Sequence, residues 1–215
     1  MKLIFSLALL IFMASMSLSA QILNQTAANT LLKGVVLDEY TGKPLGVEIM
    51  IEGGGKKIKT QSNDSDGSFE QLLTSGIEYE ITFIRWDVWR ETEIIDIKKS
   101  SGYEEKEMTF KAKKLTPGKR IFVKDAFKPG TDELKPEIEK WLIDFKTLMR
   151  FNRSIEYNFI TKAPDDGLAQ QRMAAMDSFL DVFKRYKRKI SLQMQTGDET
   201  QDLVIEASKV ENIFD

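Results

Sequence analysis

The spacing of apolar residues changes period once along the chain, and that change limits the fold more than any other feature. From Leu31 to about Leu115 the period is two. Val47, Ile49 and Ile51 alternate with Glu48, Met50 and Glu52, and Tyr79, Ile81 and Phe83 alternate with Glu80, Thr82 and Ile84. Half-buried strands need this alternation, because successive side chains leave a strand on opposite faces. Turn formers separate the runs: "YTGKP" at 40–44, "GGG" at 53–55, "NDSDG" at 63–67 and "TSG" at 74–76. Short strands punctuated this way, with no helical stretch among them, predict an all-β sandwich.

After "LTPGKR" at 115–120, a Pro-Gly link of the kind that joins domains, the period becomes helical. "RIFVKDAF" (120–127) reads as a strand. From Pro136 onward, Ile138, Trp141, Leu142, Phe145, Leu148 and Met149 share one helical face, with proline tolerated in the first turn. "SIEYNFIT" (154–161) alternates again, Leu168 to Tyr186 reads as a second amphipathic helix, and "KISLQMQ" (189–195) and "LVIEA" (203–207) read as strands. This β-α-β-α-β-β order predicts an α/β sandwich of two helices on a small mixed sheet. The expected organisation is therefore a signal peptide at 1–20, a β-sandwich at 31–115 and an α/β domain at 119–215 that stands independent of the first.

The leader "MKLIFSLALLIFMASMSLSA" has one lysine, an apolar run from Leu3 to Met16 broken by Ser6 and Ser15, and a small-residue tail. The run falls short of the roughly 20 apolar residues that a membrane span needs. It fits a secretory signal cut after Ser19 or Ala20, with a retained interfacial anchor as the alternative. The mature chain is then expected to be periplasmic with no transmembrane segment. With no cysteine in the sequence, neither a lipid-bearing Cys nor a disulfide is available.

Histidine is absent as well. Without imidazole or thiolate the chain cannot build a Ser-His-Asp or Cys-His site or the usual zinc sites. Only carboxylate or lysine chemistry stays open to an enzyme, and no helix places paired acids in an obvious cleft. The balance of 31 basic against 33 acidic residues gives a net charge of −2, unlike the strongly basic domain of a nucleic-acid binder.

One residue stands out against its background. Arg172 projects from the same stripe as Leu168, Ala175, Phe179 and Phe183, close to the positive end of the second helix, where a cation loses about a few tenths of a kcal/mol or more. An acid ought to meet it. Asp165 or Asp166 at the helix start could cap the helix and neutralise it internally, or the arginine could snorkel past the helix end. The functional alternative is a ligand carboxylate, gripped bidentately.

The order Gly34-Val35-Val36, Asp38, Thr41-Gly42, Pro44-Leu45, then Asp66-Gly67-Ser68-Phe69, Gly76 and Tyr79-Glu80-Ile81 resembles the carboxypeptidase regulatory-like (transthyretin-like) domain. That resemblance implies a seven-stranded sandwich without activity of its own, often appended to envelope proteins; "RWDVW" at 85–89 departs from the family's usual Gly-Tyr. "IFVKDAFKPGTDELKPEIEKWLIDFKTLM" and "LAQQRMAAM" are similar to the OmpA-like C-terminal domain. That resemblance implies a peptidoglycan-binding module in which an arginine on the second helix holds the carboxylate of diaminopimelate and an aspartate ending the preceding strand holds its amine.

By position, Arg172 matches the arginine and Thr161 the threonine of the family's Gly-His-Thr-Asp. Lys162 stands where the aspartate belongs, Phe159 and Ile160 replace Gly and His, Ala169 replaces Ser, and the 162–167 loop is shortened. Losing one partner of a desolvated charge pair costs about 2–5 kcal/mol. The expected function is thus a non-enzymatic periplasmic adaptor that binds envelope proteins, its OmpA-like module degenerate. Weak peptidoglycan anchoring through Arg172 with Asp165 or Asp166 as substitute acid is the alternative, and an envelope hydrolase a third.

Other features favour plain readings. "SNDSDG" has the start of an EF-hand loop but Leu73 where the bidentate glutamate belongs, so a hairpin turn is expected and no metal or cofactor. The lysines between 98 and 124 suit protected strand edges. "FKRYKRK" (183–189) suits the negative end of a helix, with phosphate contact the alternative. Trp86 and Trp89 could form a sugar-stacking platform, but burial of at least one is expected.

Overall fold

The structure, a computed structural model, describes residues 28–213. The signal-peptide reading of residues 1–20 lies outside the described residues. The first part of the chain supplies seven strands: β1 (Asn29–Asp38), β2 (Glu48–Gly53), β3 (Lys56–Gln61), β4 (Ser68–Thr74), β5 (Ile77–Ile84), β6 (Thr92–Ile97) and β7 (Glu104–Ala112). They form a three-stranded sheet in the order β4-β1-β7 and a four-stranded sheet in the order β3-β2-β5-β6. β1 runs antiparallel to β4 and parallel to β7.

The two sheets share one core. Leu32, Val36, Phe69, Leu73 and Phe110 from one sheet pack with Ile49, Ile51, Tyr79, Ile81 and Phe83 from the other, so the alternating residues face inward as their period requires. Phe110 lies 5.8 Å from Phe69 in its own sheet and 5.5 Å from Phe83 across the core. Gly34 makes this packing possible: a Cβ there would sit 2.1 Å from the Phe69 ring. The "SNDSDG" turn differs from the expected hairpin, because β3 and β4 belong to opposite sheets and the turn carries the chain across the sandwich. Asn63 and Asp66 hold it, accepting hydrogen bonds from the Ser65 and Ser68 amides at 2.8 Å each.

The second part contains β8 (Arg120–Lys124), α1 (Pro136–Met149), β9 (Ile155–Ala163), α2 (Asp166–Phe179), β10 (Ile190–Thr196) and β11 (Leu203–Val210). The sheet order is β10-β9-β11-β8, with β10 parallel to β9 and the other pairs antiparallel. α1 buries Ile138, Leu142, Phe145 and Met149, the stripe set by its sequence. α2 stops at Phe179 rather than running to Tyr186, and tighter 3-10 turns continue to Lys189 with a break at Lys184, whose φ is 53°. The last turn of α2 holds no basic residue; Lys187, Arg188 and Lys189 of "FKRYKRK" fall instead in the last of the 3-10 turns.

The second core is not confined to the second part of the chain. Trp89, from the segment between β5 and β6, is stacked on Phe145 at 5.7 Å and meets Phe122 and Tyr157 edge-on at 5.6 and 6.2 Å. Asn152 clips the same segment, accepting from the Arg90 amide at 2.7 Å and donating to its carbonyl at 3.2 Å. Ser154 donates to the Trp86 carbonyl at 2.5 Å, and Tyr40 donates to the Arg120 carbonyl at 2.5 Å. The expected independence of the two parts therefore gives way to a shared core. "RWDVW" is the plug, with Trp89 buried and Trp86 exposed.

Candidate functional site

The site built around Arg172 begins at the start of α2. Asp165 adopts extended backbone angles and accepts a hydrogen bond from the Leu168 amide at 2.9 Å, satisfying one of the free N–H groups of the first turn. Asp166 follows in that turn, exposed and near the positive end of the helix. With the start fixed, Ala169, Arg172 and Met176 fall on the buried face.

Arg172 is fully buried. A guanidinium can be tolerated there only if its five N–H groups and its charge are met. Nε donates to the Thr131 carbonyl at 2.8 Å, Nη1 to the Lys162 carbonyl at 2.7 Å, and Nη2 to the Lys128 carbonyl at 3.4 Å and Glu199 Oε1 at 3.2 Å. Nη1 also lies 3.5 Å from Asp202 Oδ2. The Phe127 ring, 5.0 Å from the guanidinium carbon, covers one face. Two carboxylates and three carbonyls thus surround one cation.

Those acids are themselves tied down. Asp202 accepts from the Ala126 and Phe127 amides at 2.5 and 3.1 Å, and Glu199 Oε1 accepts from the Gly130 amide at 2.9 Å. Burial pushes the Asp202 carboxyl above its usual range, against the pull of the two amides and of Arg172. The result is a knot joining the β8–α1 loop, the end of β9 and the turn before β11. Of its two carboxylates Glu199, about one-third exposed, is the nearer to water.

The other residues singled out by sequence take local parts. Thr161 is buried on β9, its hydroxyl donating to the Gln193 carbonyl at 3.4 Å. Lys162 enters the knot through its backbone, donating to the Asp202 carbonyl at 2.7 Å while its own carbonyl serves Arg172. Asp165 and Asp166 are not among the acids that meet Arg172; Glu199 and Asp202 are. Sequence reasoning missed these two because they sit 27 and 30 residues beyond it. The signal available was "GDETQD" (197–202), an acidic turn directly before a strand that pairs with β9.

A concavity of about 850 Å³ opens on the three-stranded sheet of the sandwich. There Lys33 lies in register between Glu70 of β4 and Glu107 of β7, so a cation separates the carboxylates. Among the described residues no group of three or more His, Cys, Asp or Glu side chains could hold a metal ion. No described helix is long and apolar enough to cross a membrane, which says nothing of a strand-built barrel.

No protein-family model matches the chain, and no curated protein matches it. Solved structures give partial likenesses. A Bacteroides uniformis protein proposed to bind carbohydrate is 18% identical with a TM-score of 0.33, covering 40% of this chain and 41% of its own. The Bacillus anthracis TIE protein is 17% identical with a TM-score of 0.32, covering 63% and 19%. A Bacteroides fragilis protein of unknown function is 11% identical with a TM-score of 0.28, covering 69% and 45%. The chain spans less than half the length of each, and likenesses this slight carry no argument about function.

Proposed function

We propose that this protein is a non-enzymatic, periplasmic adaptor of the cell envelope, in which a degenerate OmpA-like module follows a carboxypeptidase regulatory-like sandwich and serves to hold protein partners. One observation carries the reading: all three nitrogens of the Arg172 guanidinium donate to acceptors supplied by the chain itself, and Nη1 also lies 3.5 Å from Asp202. A ligand carboxylate would have to displace Glu199 and would meet no acid placed for its amine, since Lys162 occupies that position. Diaminopimelate binding is correspondingly weak or absent, and Asp165 is already committed to its helix cap.

Incubation with purified peptidoglycan followed by sedimentation tests this. The protein is expected to remain in the supernatant. Pelleting that free diaminopimelate reverses would overturn the reading; competition is the decisive arm because Arg172→Ala also removes a structural anchor. A peptidoglycan anchor using Asp165 or Asp166 predicts instead that Asp165→Asn or Asp166→Asn lowers pelleting.

A further inference from the structure

Two neighbouring cavities line the junction between the sandwich and the α/β part, and a third adjoins them on the α/β part alone. The first, about 290 Å³, has Met50, Ile84, Leu148 and Phe151 in a wall that also holds charged residues, Glu52 and Glu91 among them. The next, about 250 Å³, shares Arg90 and Phe151 with the first and adds Arg150 and Arg153. The third, about 410 Å³, shares Arg153 with the second and adds Arg185, Arg188 and Lys189. Shared residues set them side by side along one path, with the apolar side chains at one end and arginines along the rest.

Five arginines on this path lack an ion-pair partner, although Arg85 and Lys57 in the same walls are paired. Among the described residues no carboxylate comes within ion-pair distance of Arg90, Arg150, Arg153, Arg185 or Arg188, whereas nearby Arg85 is held by Asp87 at 2.5 Å and Lys187 by Asp177 and Asp181 at 2.7 Å. The acids on the apolar rim are occupied: Glu52 pairs with Lys57 at 2.5 Å and Glu91 with Lys113 at 3.7 Å. In a chain of net charge −2 this concentration is local rather than a by-product of composition. The field is felt by its neighbours. A hydrogen bond from Arg185, aided by Arg150 and Arg153, holds the Tyr186 phenol below its usual range. Burial, then Arg188 and Arg153, makes Lys189 harder to protonate against the opposing pull of Glu156.

We propose that this path is a docking groove for an extended acidic peptide segment of a partner protein, with an apolar side chain entering between Met50 and Phe151 and carboxylates following onto Arg150, Arg153 and Arg188. The proposal rests on the adaptor reading and gives its partner a chemistry. Arginine, planar and forked, suits carboxylates that arrive in series. The apolar first cavity is what a peptide can fill and a run of phosphates cannot. Tyr186 is no open platform for a base or sugar, since the Arg185 guanidinium lies 5.0 Å above its ring.

Fluorescence anisotropy with the full chain tests the groove. The probe is a labelled peptide of one phenylalanine followed by a short run of glutamates; inorganic polyphosphate and phosphatidylglycerol vesicles are the rival ligands. Binding is expected to weaken with added salt, at least tenfold in the double variant Arg153→Gln/Arg188→Gln, and severalfold when the probe's phenylalanine becomes alanine. Lys98→Gln/Lys99→Gln, at residues that line none of the three cavities, should bind as the parent does. Both arginines of the double variant are exposed, so circular dichroism should show an unchanged fold. No binding of the probe, equal binding of a glutamine-run peptide, an unaffected double variant, or tighter binding of polyphosphate or vesicles would overturn the proposal. Peptidoglycan sedimentation does not involve this groove, so a failure of the adaptor reading and a failure of the groove show up in separate experiments.

Discussion

At the scale of single residues, a buried arginine acts as a bolt. Arg172 holds the β8–α1 loop to β9 and to the turn before β11, and breaking a buried pair from one side costs about 3–5 kcal/mol because the remaining charges stay buried. Arg172→Ala should lower the urea midpoint by a corresponding amount, with Glu199→Gln milder because Glu199 is partly in water. The anomaly was legible in the sequence as a cation on an apolar stripe, and so was the capping role open to Asp165. The identity of its acids was not, because helical geometry reaches only a turn or two, whereas β11 brings Glu199 and Asp202 alongside through sheet pairing. Tyr40 gives a second prediction. Burial, followed by Glu39 and Asp38, raises its phenol from 10.0 to about 12. The neutral form is favoured in the fold, so its contribution is whole below pH 10 and is lost as pH rises through about 12. Alkaline unfolding followed by tryptophan fluorescence should show this loss, and Tyr40→Phe should flatten it over that window.

At the scale of elements, the segment between β5 and β6 has the largest effect for its length. Trp89 fills the centre of an aromatic cluster, yet its indole N–H is a buried polar atom that finds no acceptor. Trp89→Ala should cost about 3–5 kcal/mol, the usual range for a large aromatic removed from a core. Trp89→Phe should cost much less, since it keeps most of the packing and removes an unmet donor worth about 1–3 kcal/mol. Calorimetry on the two variants measures the difference. The strands of the sandwich and the face of α1 were readable because two-residue and 3.6-residue periods are local properties. The end of α2 was not: Phe183 keeps the apolar rhythm and is fully buried, although the backbone has already tightened into 3-10 turns and broken at Lys184. Rhythm alone reports which residues are buried, not which helix buries them.

At the scale of the whole molecule, the two parts meet through side chains and not only through their link. The sequence marks that link well, with Thr116 to Gly118 exposed, but the partnership across it depends on "RWDVW", whose meaning appears only when α1 and β9 stand opposite. The junction also walls the first two cavities of the arginine-lined path, so the same contacts that bind the parts together shape that end of it.

A protease site engineered at Thr116–Gly118 would sever the covalent thread while leaving Trp89, Asn152 and Tyr40 in place. The two fragments should then travel as a single species in gel filtration and come apart only in denaturant. Separate peaks in buffer would mean that the peptide link, not the indole, keeps the halves in company.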